Sequence, residues 1–240
     1  MRKVLIVTTS HGILGPTGYP TGLWLSELTH PYFELIQAGF EVEIASLQGG
    51  KPPVDPWSDP ANPQGINQND LVTIGFLHSA HAAKLENTLK LSEVDAAPYE
   101  AVLFSGGNGA IFDYPKAPEV AATIEKLWNA GKIVSTVCHG GAALLEARLP
   151  DGTPLIHNQD VTAFSNQEEH MAQSQIGQEY LPFYLQDELP KRGARYHHTA
   201  PFKSYVVVSG GGRLITGQQN FSGAEIGRKL VEALGEGSAQ

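Results

Sequence analysis

Cys138 is the only cysteine of the 240-residue chain, and its neighbours predict a corner between a strand and a helix. The apolar run 132–136 before it predicts a buried strand, and the glycine pair 140–141 followed by 142–145 predicts a helix start. A cysteine at such a corner projects its sulfur out of the sheet, where the backbone N–H groups of the following turn converge. This pattern is typical of a nucleophile elbow, with cysteine in place of serine.

The predicted helix start bears on the ionisation of this thiol. The positive end of a helix dipole lowers a thiol pKa and favours the thiolate, which is the form that attacks electrophiles. The pattern departs from a nucleophile elbow at Thr136, because glycine is usual two residues before the nucleophile. Most lone cysteines are structural core residues. Here the strand, His139 and the paired glycines together favour a nucleophile.

Glu27 is a candidate acid for this cysteine. It lies in the segment 21–31, among apolar residues such as Leu23 and Leu28 rather than opposite them. A carboxyl group on the sheet-facing side of a helix would be desolvated, which raises its pKa. In its protonated form Glu27 could donate a hydrogen bond to the Cys138 thiolate and then shuttle a proton. Periodicity alone supports an ordinary exposed helical glutamate equally well.

A glycine-rich turn, Ser105-Gly106-Gly107-Asn108-Gly109, follows the strong strand pattern of 101–104. Glycines let backbone N–H groups approach a ligand oxygen, so Gly106 and Gly107 are candidates for an oxyanion hole with the amide of His139. Asn108 in the same turn is assigned to substrate binding. A flexible turn would give the same glycines, and the segment is not a phosphate loop because the GK[ST] ending is missing.

His139 is the second candidate catalytic group, as a base toward a substrate proton. Glu168 and Glu169 are both candidates to orient it, and each could instead be a solvated charge at a helix N-terminus.

A metal site is conceivable at His78, His81 and Glu86, but the helix predicted to start near residue 80 does not secure a shared face for the histidines. The sequence therefore predicts no metal and no cofactor. The adjacent histidines His197 and His198 are predicted to be loop or strand residues rather than metal ligands.

Short β-rich runs alternate with helical patterns, which predicts an α/β fold with a mostly parallel sheet sandwiched between helices. The predicted strands are 3–8, 41–46, 101–105, 132–138, 161–164, 205–209 and 214–216. The predicted helices are 22–38, 80–89, 118–130, 141–147, 166–173, 179–192 and 222–234, the last with a Ser222–Glu225 capping box. Ligand sites of such sheets lie beyond the carboxyl ends of the strands, which gathers 9–12, 105–109 and 138–141 at one edge.

The length predicts a single domain over 1–240, with a surface excursion at 49–75 anchored by Trp57, Ile66 and Leu71, and a frayed tail at 235–240. The net charge of −9 argues against nucleic acid and anionic membranes as partners. The N-terminal apolar run is too short for a signal peptide, so we expect a cytoplasmic protein. One cysteine excludes an internal disulfide and a thiolate zinc cluster.

Five blocks that together span nearly the whole chain resemble the ThiJ/PfpI superfamily, in its branch of heat-shock chaperones with glutathione-independent glyoxalase (glyoxalase III) activity. These blocks are 21–31, 106–115, 137–140, 161–169 and 214–220. The resemblance implies a flavodoxin-like, class I glutamine amidotransferase-like fold and a homodimer. It also implies that Cys138 is the nucleophile, Glu27 the protonated acid/base, His139 the second catalytic group and Glu169 its orienting carboxylate, with Glu168 as the alternative.

Two departures from the resembling chains bear on substrate choice. Gly141 stands where proline often follows Cys-His-Gly, and Asn220-Phe221-Ser222 stands where a Pro-Ala-Ser-like pattern is more usual. Both changes would alter the shape of the pocket and leave the nucleophile in place.

The activity implied by the resemblance is conversion of 2-oxoaldehydes such as methylglyoxal to 2-hydroxy acids through a cysteine hemithioacetal. Removal of glyoxal adducts from glycated proteins is a related activity that the resemblance also implies. The alternative, from a different class, is a stress-response holding chaperone for unfolded proteins or a cysteine oxidation sensor.

Overall fold

The structure, a computed structural model, describes residues 2–235 and contains nine strands and eight α-helices within that range. The strands are β1 (Lys3–Thr8), β2 (Glu41–Ser46), β3 (Leu89–Lys90), β4 (Tyr99–Phe104), β5 (Ile133–Val137), β6 (Asp160–Val161), β7 (Arg195–Tyr196), β8 (Val206–Ser209) and β9 (Leu214–Gly217). The helices are α1 (Ser26–Gln37), α2 (Leu71–Leu77), α3 (Ala82–Glu86), α4 (Gly109–Asp113), α5 (Pro118–Asn129), α6 (Asn166–Ile176), α7 (Leu185–Lys191) and α8 (Gly223–Leu234).

Seven strands form one sheet in the order β3-β2-β1-β4-β5-β9-β8, parallel except for the antiparallel edge strand β8. Alternate residues of each strand point to opposite faces, so Leu5 and Val7 enter one apolar core while Val4 and Ile6 enter the other. Helices α1 and α8 cover one face, and α4 and α5 cover the other. The predicted α/β class is confirmed.

Five predicted elements are wrong in extent or type. The helix predicted at 22–38 begins only at Ser26, and the helix predicted at 80–89 is only α3, with Leu89 already in β3. The strand predicted at 161–164 is only β6, and it pairs with β7 in a separate small sheet. The α-helix predicted at 141–147 is a 3₁₀-helix over Cys138–Leu144. The helix predicted at 179–192 begins only at Leu185, because Pro182 disfavours helical backbone in the residue before it.

The predicted capping box at Ser222 does not form. Ser222 Oγ donates to the carbonyl oxygen of Tyr205 at 3.1 Å, and it makes no capping bond to α8. A capping box forms instead at α6, where Ser165 and Glu168 exchange hydrogen bonds. Glycines 39, 131 and 193 adopt positive φ angles after helices, as predicted.

The surface excursion at 49–75 is held by polar contacts rather than by the predicted apolar anchors. Trp57, Ile66 and Leu71 are all exposed. Buried Ser58 accepts from the Leu25 N–H at 3.1 Å and donates to the Asp55 carbonyl at 2.8 Å. The excursion also contains α2, which the sequence analysis did not predict.

Of the predicted tail 235–240, only Gly235 lies within the described residues. None of the helices in residues 2–235 has the length and apolar character needed to cross a bilayer.

Candidate active site

The carboxyl ends of β4 and β5 bring the predicted site residues together. Gly107 and Asn108 follow β4, Cys138 and His139 follow β5, and Glu27 lies in the first turn of α1. All five line a single cavity of about 600 Å³. As the edge rule for parallel sheets predicts, residues of the segments 105–109 and 138–141 meet at one edge of the sheet.

Cys138 occupies a strained turn at the foot of this cavity. Its φ is +58°, a left-handed conformation that non-glycine residues rarely adopt. This explains how the chain passes Thr136 without the usual glycine, because the turn is made at the cysteine itself. Only 4% of Cys138 is exposed. Strain of this kind is typical of functional sites.

The pKa of the Cys138 thiol is shifted upward, opposite to the direction that the sequence pattern predicts. Burial is the main cause that raises the pKa of the Cys138 thiol well above its ordinary value. The backbone N–H groups of His139 and Gly107 face the sulfur and act in the opposite direction on the pKa, but they do not outweigh burial. The short 3₁₀-helix after the cysteine replaces the α-helix whose dipole was expected to help. Burial thus favours the thiol form of Cys138, and the two N–H groups favour the thiolate.

Glu27 is fully buried beside this thiol, as one of the two sequence readings required. Burial raises the pKa of its carboxyl group from 4.5 to about 8, while hydrogen bonds from Cys138 and Gly106 lower it less strongly. The Gly106 N–H donates to Glu27 Oε2 at 2.9 Å. The other carboxyl oxygen, Oε1, is buried and lies within hydrogen-bond distance of no suitable partner among residues 2–235. Glu27 is therefore protonated at neutral pH, with one oxygen fixed and the other uncommitted.

Gly106 holds Glu27 and is not free for the predicted oxyanion hole. A Cβ at Gly106 would lie 2.6 Å from Glu27 Oε2 and 2.7 Å from the Val137 carbonyl oxygen, so the close approach needs glycine. Gly107, at φ +92°, directs its N–H toward the cysteine sulfur. The amides available near the sulfur are thus those of Gly107 and His139.

His139 connects the thiol to a buried carboxylate. Its Nδ1 lies 3.4 Å from Cys138 Sγ, and its Nε2 lies 2.8 Å from Glu169 Oε1. Because an ionised carboxylate only accepts, Nε2 carries the proton and Nδ1 presents its lone pair to the thiol. The ring also packs against Phe164, with ring centroids 4.6 Å apart. The order Cys–His–Glu has the logic of a catalytic triad.

Glu168, the alternative partner of His139, has a different position. Its carboxylate accepts from Ser165 Oγ at 2.7 Å, from the Phe202 N–H at 2.8 Å and from Gln218 Nε2 at 3.0 Å. It fixes the start of α6 and the loop that carries Phe202. The structure places Glu169, and not Glu168, on the histidine.

Replacing Glu169 by glutamine should lower kcat about 100-fold, because an amide does not stabilise the imidazolium that forms when His139 accepts a proton. The measurement is the initial rate of methylglyoxal conversion at saturating substrate, with thermal unfolding as a check on the fold. Glu179→Gln, an exposed change in the segment after α6, is the matched control. A Glu169→Gln rate within twofold of the wild type contradicts the assignment.

Asp55 and Tyr180 are among the cavity residues that the sequence pattern did not assign to the site. Asp55 is buried; its Oδ2 accepts from Thr21 Oγ1 at 2.7 Å, and burial raises its pKa. In the sequence, an aspartate followed by proline predicts a turn at Asp55, but it does not indicate that the side chain lines a cavity. Tyr180 is also buried in the cavity wall, and no local pattern distinguishes it. Asn108 lies in the wall and interacts with Asp55.

His81 and Glu86, two of the three residues considered as metal ligands, have other partners. His81 Nδ1 lies 3.0 Å from Tyr32 Oη, and Glu86 pairs with Lys51 at 2.9 Å. His197 Nε2 contacts Asp160 Oδ1 at 2.7 Å. Within the part of the chain that the structure describes, no group of three or more His, Cys, Asp or Glu side chains is arranged to hold a metal ion.

Comparison with known proteins fits this geometry. The family model described as DJ-1/PfpI family matches residues 21–233. The chain belongs to the DJ-1/PfpI family. The predicted ThiJ/PfpI resemblance is thereby confirmed.

Three DJ-1/PfpI relatives show how far the similarity extends. The chain is 29% identical over 241 residues to the glutathione-independent glyoxalase HSP31 of Saccharomyces cerevisiae, covering 97% of this chain and 98% of that protein. It matches the crystal structure of glyoxalase III from Candida albicans with a TM-score of 0.81 and 26% identity, over 97% of both chains. It matches the Rapid Encystment Protein 24 kDa of Francisella tularensis with a TM-score of 0.89 and 32% identity, over 98% of this chain and 99% of the other.

Proposed function

We propose that this chain converts small 2-oxoaldehydes such as methylglyoxal to 2-hydroxy acids without glutathione. The observation that carries the proposal is a thiol 3.4 Å from a histidine nitrogen, next to a buried carboxyl group that is protonated at neutral pH. The full-length similarity to a glutathione-independent glyoxalase supports the same reaction.

The first step follows from the tautomer of His139. Nδ1 removes the proton from Cys138 as the sulfur adds to the aldehyde carbon, and Glu169 stabilises the imidazolium that results. The new oxyanion lies near the backbone N–H groups of Gly107 and His139. The imidazolium then protonates that oxygen, which completes a hemithioacetal and restores His139 as a base.

The second step moves hydrogen between the two substrate carbons. His139 removes the proton from the former aldehyde carbon while Glu27 donates its proton to the ketone oxygen, giving an enediol. Return of a proton to the second carbon gives a thioester, and Glu27 recovers its own proton from the remaining hydroxyl. Water then cleaves the thioester, releasing the 2-hydroxy acid and the thiol. The aldehyde carbon is oxidised and the ketone carbon reduced, so the balance needs only water.

The test is an assay of the purified protein with methylglyoxal in the absence of glutathione, following lactate. We expect lactate in amounts equal to the methylglyoxal consumed. In D₂O we expect deuterium at the second carbon of lactate, since the enediol is reprotonated by groups that exchange with solvent. Consumption of methylglyoxal without lactate would contradict the proposal.

A second candidate, binding of glycated or unfolded proteins, is favoured by the mouth of the cavity. Large apolar side chains there are between 40% and 63% exposed, and clusters of this kind mark interaction sites. They are Tyr19, Trp57, Ile66, Phe202 and Phe221. The oxidation-sensor alternative stays a prediction. The homodimer, the cytoplasmic location and the lack of nucleic-acid or membrane partners stay predictions.

A further inference from the structure

The cavity is much larger than the small dicarbonyl that the proposed reaction needs. Its volume of about 600 Å³ lies inside the range of about 300–1,000 Å³ that proteins use for drug-sized ligands. A three-carbon 2-oxoaldehyde bound at Cys138 would occupy only a small part of it. The remaining wall leaves room for a longer ligand.

Asn220 gives that wall a distinctive polar group. It stands third in a run of three amides, and the two before it are committed to the protein. Gln218 Nε2 donates to Glu168 at 3.0 Å, and Gln219 Nε2 donates to the Lys203 carbonyl at 2.8 Å. Asn220 is only 9% exposed and lines the cavity, yet its side chain makes no hydrogen bond to any residue of 2–235. Because this amide faces the cavity, it is free to donate to and accept from a ligand there.

Further amides and aromatic rings surround the same space. Gln64 and Gln175 line the cavity, and their side chains make no hydrogen bond within the described range. Phe221, next to Asn220, is exposed at the mouth together with Trp57. Amides donate to and accept from hydroxyl groups, and aromatic faces pack against the C–H faces between those hydroxyls. This combination suits a hydroxylated carbon chain.

The charge of the lining residues further restricts the class of ligand that the cavity can bind. The lining contains the acidic residues Glu27 and Asp55, and none of the lining residues is lysine or arginine. A phosphorylated or carboxylated chain would enter this space without a cationic partner, which is unfavourable. The ligand chain is therefore uncharged.

We propose that Asn220 and Phe221 form a subsite for the hydroxylated chain of a five- or six-carbon 2-oxoaldehyde, the class formed when sugars lose water. The aldehyde carbon then lies at Cys138 and the hydroxyl groups lie at Asn220 and the neighbouring amides. This inference rests on the proposed glyoxalase function and names its substrate class. It also assigns a role to the Asn220-Phe221 pair, at which the sequence departs from the resembling chains.

The kinetic test compares 3-deoxyglucosone, an uncharged six-carbon 2-oxoaldehyde, with methylglyoxal. We expect the wild type to have the higher kcat/KM on 3-deoxyglucosone. Asn220→Leu should lower the ratio of the two kcat/KM values about tenfold through KM, the size expected for one lost hydrogen bond. Gln178→Leu removes an exposed amide outside the cavity and should leave the ratio unchanged. Conversion of methylglyoxal but not 3-deoxyglucosone, or a ratio unaffected by Asn220→Leu, overturns the subsite and leaves the glyoxalase function standing.

A binding test is independent of turnover. In the Cys138→Ser background, 3-deoxyglucosone should quench the fluorescence of Trp24 and Trp57, which both line the cavity. Adding Asn220→Leu should raise the Kd about tenfold, and adding Gln178→Leu should not. If the wild type converts neither aldehyde but the Asn220-dependent binding is seen, the subsite stands and the glyoxalase function fails. Absence of both binding and turnover overturns both.

Discussion

Replacing Cys138 by serine should lower kcat/KM for methylglyoxal by a factor on the order of 10⁴ or more. A serine hydroxyl is a far weaker acid than a thiol, and His139 Nδ1, 3.4 Å from the sulfur, has no comparable driving force to deprotonate it. Serine is smaller than cysteine but keeps a hydrogen-bonding atom at the same position. The variant therefore loses the nucleophile with little change in the cavity.

The measurement is lactate formation over hours at high enzyme concentration, so that a fall of this size remains quantifiable. Suppression of the aggregation of an unfolding client protein should be unaffected by Cys138→Ser, since the exposed apolar residues at the cavity mouth remain. Retention of more than a tenth of the wild-type rate would show that the reaction does not pass through the sulfur. Loss of both activities together would point to a folding defect, which thermal unfolding detects.

Replacing Glu27 by glutamine should change how the free energy of unfolding depends on pH, which is the second large expected effect. Burial raises the pKa of this carboxyl group from 4.5 to about 8. Between those values the folded protein holds a proton that the unfolded chain has released, so stability falls as pH rises. The slope is about 1.4 kcal/mol per pH unit, which gives a loss on the order of 5 kcal/mol between pH 4.5 and pH 8. Glu27→Gln has no such proton to lose.

Denaturant unfolding at pH 5 and pH 8 measures this difference. We expect the free energy of unfolding of Glu27→Gln to exceed that of the wild type at pH 8 by several kcal/mol, and the advantage to shrink toward pH 5. The glutamine oxygen can still accept from the Gly106 N–H, so the fold keeps that bond. Glu179→Gln, on the surface, serves as the control and should follow the wild-type curve. Parallel curves for Glu27→Gln and the wild type would mean that Glu27 is ionised in the folded state.

Local pattern was sufficient to place Cys138 at a turn after a strand, but not to predict its pKa. The apolar strand and the glycine pair locate Cys138 at a turn, and the structure confirms that placement. The thiol pKa depends on burial and on Glu27, which is more than 100 positions away in the sequence. No window around the cysteine contains that information. For the same reason Gly106 was assigned to substrate, although its N–H is bound to Glu27.

The choice between the two glutamates was open in the sequence for a different reason. Ser165 and Glu168 have the spacing of a capping box, which the structure confirms, and this leaves Glu169 for the histidine. The same spacing at Ser222 and Glu225 forms no box, because Ser222 is bonded to Tyr205. The Ser–x–x–Glu spacing predicts a capping box, but whether the box forms depends on the tertiary contacts of the serine.

Glu168 and Glu169, adjacent in α6, determine which parts of the cavity wall tolerate substitution and which do not. Glu168 secures the backbone of Phe202, and Glu169, the next residue, secures the general base. Reshaping the Phe202 loop would disturb the turn on which the histidine depends. The side chains of Asn220 and Phe221 make no hydrogen bond to either carboxylate within residues 2–235, but Gln218, two positions before Asn220, donates to Glu168 and would have to be kept. Evolution or an engineer can therefore retune selectivity at those two positions while the proton-transfer machinery stays in register.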